Sequence, residues 1–384
     1  MKIAVGISGG VDSAVAAWRL LQEGHNVFGV FMINWHETEG TLSGDCPWED
    51  DLMYAKLVCK KLGITLEVVD LSSEYRSRIA DYMFAEYEAG RTPNPDVLCN
   101  REIKWDVFAE KAIELGAEKV ATGHYCQIDS VDIRLLRGAD HRKDQSYFLC
   151  QTTRGQLSKA LFPIGHLNKS EVREIAEREN LAPFDRKDSQ GLCFIGKIDL
   201  PTFLKQKLQS KEGDVVEIPR DKASEIKAEH LNEANGNLEL LSQSYKLAPS
   251  MGKKLGKHQG AHFYTIGQRK GLAIGGTELP IYVISTDISS NMVYVGQGSD
   301  HPLLLKDTIR LDADTKNLIS PNSYNPDFIF DGVIRYRQEP EKMRVVEEGS
   351  HLYAIFDKPQ KGVASGQFCA WYDGDELVGS AVIA

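Results

Sequence analysis

Three short stretches of this chain carry residue types that do chemistry. The first, ISGGVDSAV at residues 7–15, sets two glycines and an aspartate between two serines. Gly9 and Gly10 let the backbone come close to phosphate oxygens, and the hydroxyls of Ser8 and Ser13 add donors. A loop of the GxxxxGK[ST] kind carries a lysine for the terminal phosphates, and none follows here. Such a loop suits gripping a pyrophosphate group while reaction takes place at the α-phosphate, with pyrophosphate leaving. The second stretch, NPDVLCN at residues 94–100, places Asp96 and Cys99 three residues apart, ahead of a helical pattern. In a first helical turn the terminal partial charge favours a thiolate, and Asp96 is placed to exchange a proton. The same residues also fit a plainer arrangement, with Asp96 capping the helix and Cys99 packing in a core. The third, DSQGLCFIG at residues 188–196, holds Cys193 between Gly191 and Gly196. A cysteine in a glycine loop is a candidate nucleophile or sulfur carrier.

These residues need elements to position them. Residues 2–7 alternate β-branched and small side chains as a buried strand does, residues 14–21 are strong helix formers, and Gly24 ends that run. Strand, glycine turn and helix together point helix N-terminal N–H groups at an anion. Further strands are expected at residues 25–34, 64–70 and 119–125, and helices at 52–62, 74–89 and 103–115. This alternation predicts an α/β fold with an N-terminal doubly wound parallel sheet of Rossmann-like type. Ligands of such sheets sit beyond the strand carboxyl ends, where Ser8, Met32 and Gly123 fall. From residue 146 to about 207 the pattern is mostly helical, and from residue 213 short strands with turn signals continue to Ala384. The expected division is a catalytic domain with a helical extension at 1–207, a small β-rich central domain at 208–288, and a C-terminal β-barrel at 289–384. Residues 219–258 fit neither neighbour. They are polar, lean to helix and end in GKKLGKH, so they are expected to protrude and stay peripheral to chemistry.

Composition bounds the rest. With 384 residues, 42% hydrophobic and 26% charged, the chain can bury a large core in two or three domains. No signal or transit pattern and no membrane-length apolar run is apparent, so a cytoplasmic protein without a membrane partner is expected. A net charge of −10 argues against nucleic-acid binding only globally, since a basic face can coexist with an acidic remainder. The seven cysteines show no CxxC and no framework spacing, so no protein-held metal is expected and most thiols should be buried.

SGGVDS resembles the signature of the PP-loop ATP pyrophosphatases, which adenylate substrates to activate them. ISGGVDSAV, TPNPDVLCN, ATGHY, KDQSYFL, GLCFIG, YTIGQRKGL and RYR…SGQ occur in this order over nearly the whole chain. Together they closely resemble the tRNA-specific 2-thiouridylase family, which exchanges oxygen for sulfur at C2 of the wobble uridine. The resemblance implies ATP and Mg²⁺ as cofactors, with ATP bound by Gly6, Ile7, Ser8, Gly9, Gly10, Val11, Asp12 and Ser13 and by Met32 and Gly123. It implies that Asn94, Pro95 and Asp96 meet the target base, that Cys99 is nucleophile and Asp96 acid/base, and that Cys193 carries a persulfide. His124, Lys143, Asp144, Gln145, Arg335, Tyr336 and Gln367 would contact tRNA. The partners implied are tRNA of the Lys, Glu or Gln type and a persulfide-donating relay protein or cysteine desulfurase. One departure stands out: where the family has a short hairpin, this chain has residues 219–258. Two other functions compete. An amidotransferase-type synthetase would need an ammonia source, yet Lys2, not a cysteine nucleophile, follows Met1. A non-catalytic nucleotide-binding RNA chaperone would leave Cys99 and Cys193 without a purpose.

Overall fold

The computed structural model describes residues 1–36, 48–187, 200–272, 274–322 and 324–384. The chain opens with β1 (Lys2–Gly6), α1 (Val11–Gln22), β2 (Asn26–Ile33), α2 (Glu49–Leu62), β3 (Leu66–Asp70) and β4 (Lys119–Ala121). A hairpin of β5 (Cys126–Asp129) and β6 (Arg134–Arg137) precedes β7 (Ala160–Leu161). The first sheet is parallel throughout, in the order β3-β2-β1-β4-β7. β1 and β2 are apolar on both faces and almost wholly buried, as strands covered by helices on both sides must be. The edge strand β3 is largely exposed and carries Glu67 and Asp70, charges that discourage further pairing. Strand order reverses between β1 and β4, which is where the glycine loop lies. α1 buries Ala14, Val15, Ala17 and Leu20 and stops where Gly24 takes φ +78°.

The second sheet comprises β8 (Gly213–Glu217), β9 (Lys253–His258), β10 (Ile281–Asp287) and β11 (Met292–Gln297), in the order β10-β11-β8-β9. The third contains β12 (Leu305–Leu311), β13 (Asn317–Leu318), β14 (Phe330–Val333), β15 (Glu341–Glu348), β16 (His351–Lys361), β17 (Phe368–Asp373) and β18 (Glu376–Val382). Its strands run β12-β16-β15-β14-β17-β18, and a bridge from Leu311 to Ile383 brings the first back to the last, closing a barrel. Ile309, Met343, Phe356 and Trp371 fill it.

Several expectations need correction. The expected boundary at 288/289 falls inside a hairpin, because β10 pairs with β11 and β11 pairs with β8. The break between second and third sheets comes after Gln297. The hairpin β5–β6, absent from the sequence reading, belongs to the barrel sheet: Leu136 registers with Glu376 of β18. The strand expected at 119–125 stops at Ala121. Residues 219–258 do not protrude. Helix Arg220–Ala234 buries Ala223 and Ile226 in a core with Ile218, Tyr294, Leu303 and Leu304. The GKKLGKH segment supplies β9, a strand of the second sheet.

Candidate active site

The loop between β1 and α1 is shaped by its own serines. The Ser8 backbone N–H donates to Ser13 Oγ at 3.1 Å, and that hydroxyl donates to the Gly10 carbonyl at 3.1 Å. Ser13 is therefore committed to loop shape, while Ser8 is exposed and remains the hydroxyl able to meet a ligand. Gly10 is the extended residue before α1, so the first-turn N–H groups are free of intrahelical partners, as in any helix. Glycine is required at Gly9: φ is +73°, and a Cβ there would lie 2.3 Å from the Asp51 carbonyl oxygen at the start of α2. It is required again at Gly123, where a Cβ would come within 2.7 Å of the Asp12 and Ser13 backbone. That close approach is what brings the end of β4 against the loop. Met32 and Phe108 flank Gly6, and Ile7 and Val11 are buried beneath the loop.

Asp12 accepts hydrogen bonds from Tyr125 Oη at 2.7 Å and from Lys169 Nζ at 2.7 and 2.9 Å. Arg186 donates to the Gly9 carbonyl at 3.1 Å and pairs with Asp51 at 2.7 Å. Sequence reasoning missed Lys169, Arg186 and Asp51. They sit outside any motif, and only the fold brings them to the loop.

Cys99 lies on a nearly continuous helical path of three segments, Pro95–Leu98, Cys99–Val107 and Phe108–Glu114, the middle one wound with i→i+5 geometry. Such turns recur at functional sites. The cap is Asn94, whose side chain accepts from the Val97 N–H at 3.3 Å, so Asp96 is not the capping residue. Pro95 stands at the first helical position, where a missing N–H costs nothing. Cys99 is the fifth helical residue rather than in the first turn, and it is fully buried. Asp96 is half-buried. Further along, Lys104 reaches His124 at 3.4 Å, and Phe108 packs under Gly6. One helical path thus runs from the cysteine to the phosphate loop.

The residues expected at tRNA divide into two groups. Gln367, from the barrel, donates to the carbonyls of Thr92 and Pro93 at 2.9 and 3.2 Å and accepts from Asn94 Nδ2 at 3.4 Å. Tyr336 packs on Phe148 with ring centroids 4.3 Å apart, bringing the RYR and KDQSYFL motifs together. Arg335 is exposed and Lys143 half-exposed. The others are held within the fold. Asp144 is buried and accepts from Arg137, the Gly138 N–H and both the N–H and hydroxyl of Ser146. Gln145 is tied to the Tyr125 backbone through both its side chain and its N–H. His124 is 7% exposed, bonded to Thr122 at 2.7 Å and set edge-on to Phe162. Burial, then the Lys104 charge, holds its pKa well below the usual histidine value, which favours the neutral ring.

The described thiols other than Cys99 behave as expected for packing. Burial pushes Cys59 up to about 11 and Cys150 up to about 12, and raises Cys126 and Cys369 as well. They stay protonated and inert. Cys193 lies outside the described residues. Among the described residues no group of three or more His, Cys, Asp or Glu side chains could hold a metal ion, and no helix is long and apolar enough to cross a membrane.

Family models match three consecutive parts of the chain: a tRNA methyl transferase HUP domain at residues 1–197, a tRNA methyl transferase PRC-barrel domain at 224–297, and an aminomethyltransferase beta-barrel domain at 311–383. Over its full length the chain is 50% identical to the tRNA-specific 2-thiouridylase MnmA of Christiangramia forsetii, all of which is covered. The MnmA of Flavobacterium johnsoniae matches equally, at 50% with complete coverage of both chains. That of Karelsulcia muelleri is 40% identical, with 98% of its length covered. Full-length identity of this order, joined to a lysine-free phosphate loop and a cysteine-bearing helix that reaches it, places the chain in the tRNA-specific 2-thiouridylase family.

Proposed function

We propose that this chain uses ATP to adenylate C2 of the wobble uridine of tRNA and then replaces the activated oxygen with sulfur from a cysteine persulfide. The products are 2-thiouridine, AMP and pyrophosphate. The observation that carries this reading is the single helical path, with Cys99 near its start and Phe108 under Gly6 of the phosphate loop. It supports a base placed at Asn94–Asp96 and a nucleotide placed at residues 6–13 as neighbours across one helix. The family models' descriptions name methyl transfer, whereas the relatives are named thiouridylases. A phosphate loop beside a cysteine favours adenylation and sulfur transfer over methylation.

In this scheme the α1 N-terminus and Ser8 hold the ATP phosphates, and Mg²⁺, arriving with ATP, would supply neutralisation of their charge. The uridine O2 attacks the α-phosphorus and pyrophosphate departs. The persulfide's terminal sulfur ends on C2, AMP leaves, and Cys99 and Cys193 close the cycle as a disulfide. Asp96 handles the proton. The barrel holds the base-binding loop through Gln367, while Tyr336 and Arg335 meet tRNA. The three sheets divide this labour as a catalytic unit, a central unit and a barrel. A persulfide-donating relay protein or cysteine desulfurase in the cytoplasm supplies the sulfur.

Incubation of the chain with labelled ATP and unmodified tRNA tests this. The expected result is AMP and pyrophosphate formed only when tRNA is present, and 2-thiouridine once a persulfide donor is added. ATP turnover indifferent to tRNA would point to a small-molecule acceptor instead.

A further inference from the structure

The phosphate loop contains no basic residue, yet two carboxylates border it. Asp12 is within the loop's own helix turn, and Asp51 begins α2, whose carbonyl crowds Gly9. A polyphosphate approaching uncompensated carboxylates would be repelled, whatever the helix N-terminus offers. Both carboxylates are met by cations from one stretch of chain, and the two arrangements repeat a pattern. Lys169 Nζ binds both oxygens of Asp12 and lies 5.7 Å from the centre of the Tyr125 ring. Arg186 binds Asp51 at 2.7 Å, donates to the Gly9 carbonyl and covers the Tyr54 ring at 4.5 Å. Helix Lys169–Arg178, which starts the stretch, is packed on α1 through Val172 and Ala176 against Val11, Ala14 and Val15. Lys169 is thus fixed relative to the loop by apolar contacts independent of its ion pair.

We propose that Lys169 and Arg186 are positioning residues that cancel the Asp12 and Asp51 charges and so make a lysine-free loop fit to hold the ATP polyphosphate. They act from a distant part of the same chain, where a GxxxxGK[ST] loop carries its own lysine. This rests on the assignment of residues 6–13 to nucleotide phosphates.

The test is equilibrium binding of ATP with Mg²⁺ to the full chain, by calorimetry and without tRNA. Lys169→Met and Arg186→Met should each raise the dissociation constant by about tenfold or more, whereas Lys169→Arg, which keeps the charge, should stay within about threefold of the parent. The discriminating variant is Arg186→Met combined with Asp51→Asn. Charge cancellation predicts that the pair recovers most of the affinity lost in Arg186→Met, while a packing role predicts that it does not. In tRNA-dependent pyrophosphate release, the Met variants should raise KM for ATP far more than they lower kcat. Folded Met variants that bind ATP within about twofold of the parent would overturn the proposal, as would a double variant no better than the single. Binding is read without tRNA, so the two readings fail separately. A chain that binds ATP through these cations yet thiolates no tRNA would sink the thiouridylase scheme and leave this inference standing.

Discussion

Cys99 is fully buried among core side chains that include Ile103 and Leu149, so the sulfur chemistry proposed above requires the surrounding loop to rearrange when the base enters. Iodoacetamide should therefore label Cys99 slowly in the free chain and faster with unmodified tRNA bound, as read by peptide mass mapping. Equal rates would remove tRNA from the argument. Cys99→Ser and Cys193→Ser should both stop 2-thiouridine formation while leaving some tRNA-dependent pyrophosphate release, because adenylation needs no thiol. Labelled sulfur from a persulfide donor should load onto Cys99→Ser but not onto Cys193→Ser. Near-parental thiolation by Cys193→Ser would return its glycine loop to a structural role. Asp12→Ala belongs to the other half-reaction: it removes the carboxylate that ties the loop to Tyr125 and Lys169, and the altered loop geometry should lower pyrophosphate release itself by about tenfold or more. The loop serines, glycines and Cys99 were legible in sequence because each motif packs its chemistry into fewer than ten residues. Lys169 and Arg186 were not, since they stand 157 and 177 positions from the loop atoms they touch. The burial of His124 and Asp144 was not legible, for the converse reason. Their motifs are polar, and only tertiary packing reveals that both are buried.

At the scale of elements, the loop at residues 92–96 is fastened by the barrel. Gly366 takes φ +90°, and a Cβ there would lie 2.9 Å from the Thr92 carbonyl oxygen. Gly366→Ala should then cost about 1–3 kcal/mol through strain and should loosen residues 92–96, seen as a lower melting temperature together with a raised KM for tRNA. A KM left unchanged would show that barrel contact does not shape the loop. Residues 219–258 carry a second consequence. Because helix Arg220–Ala234 and β9 complete the central sheet's core, removing the segment should unfold that sheet, contrary to what its polarity alone suggests. Ile226→Asp, a charge placed in that core, should destabilise by about 3 kcal/mol or more in urea titration. The alternation of strands and helices through β4 was legible because parallel strands read as apolar runs. The helical lean of residues 219–258 was legible too, but not its packing, since the buried face of helix Arg220–Ala234 is only Ala223, Ile226 and Ala234. The β5–β6 hairpin is four residues per strand, too short to carry a period, and its pairing partner lies at the far end of the chain.

Two properties belong to the molecule as a whole. His124, His166, His258, His262 and His301 all have pKa values lowered chiefly by burial. The unfolded chain, with histidines near 6.5, binds more protons than the folded one below that pH. Their contribution to stability is therefore complete above about pH 6.5 and is lost as pH falls toward the folded values, so the urea midpoint should be lower at about pH 5.5 than at about pH 7.5. An unchanged midpoint would mean that these rings are hydrated in solution. Affinity for tRNA should fall steeply with salt despite the net charge of −10, because the exposed Arg142, Lys270 and Arg335 supply local positive charge. A flat response would place RNA elsewhere. Finally, the hairpin shared with the barrel bears on how the chain is made. Ser146 and Tyr372, whose hydroxyls lie 3.1 Å apart, are separated by 226 residues, and the Cys150 carbonyl and Ser380 by 230. At about 5–20 residues per second of synthesis, the nascent N-terminal unit waits on the order of 10–45 s on the ribosome with β6 unpaired on one side. A chain truncated before β18 would leave that edge bare for good, so its products should be insoluble or chaperone-bound rather than a smaller working enzyme.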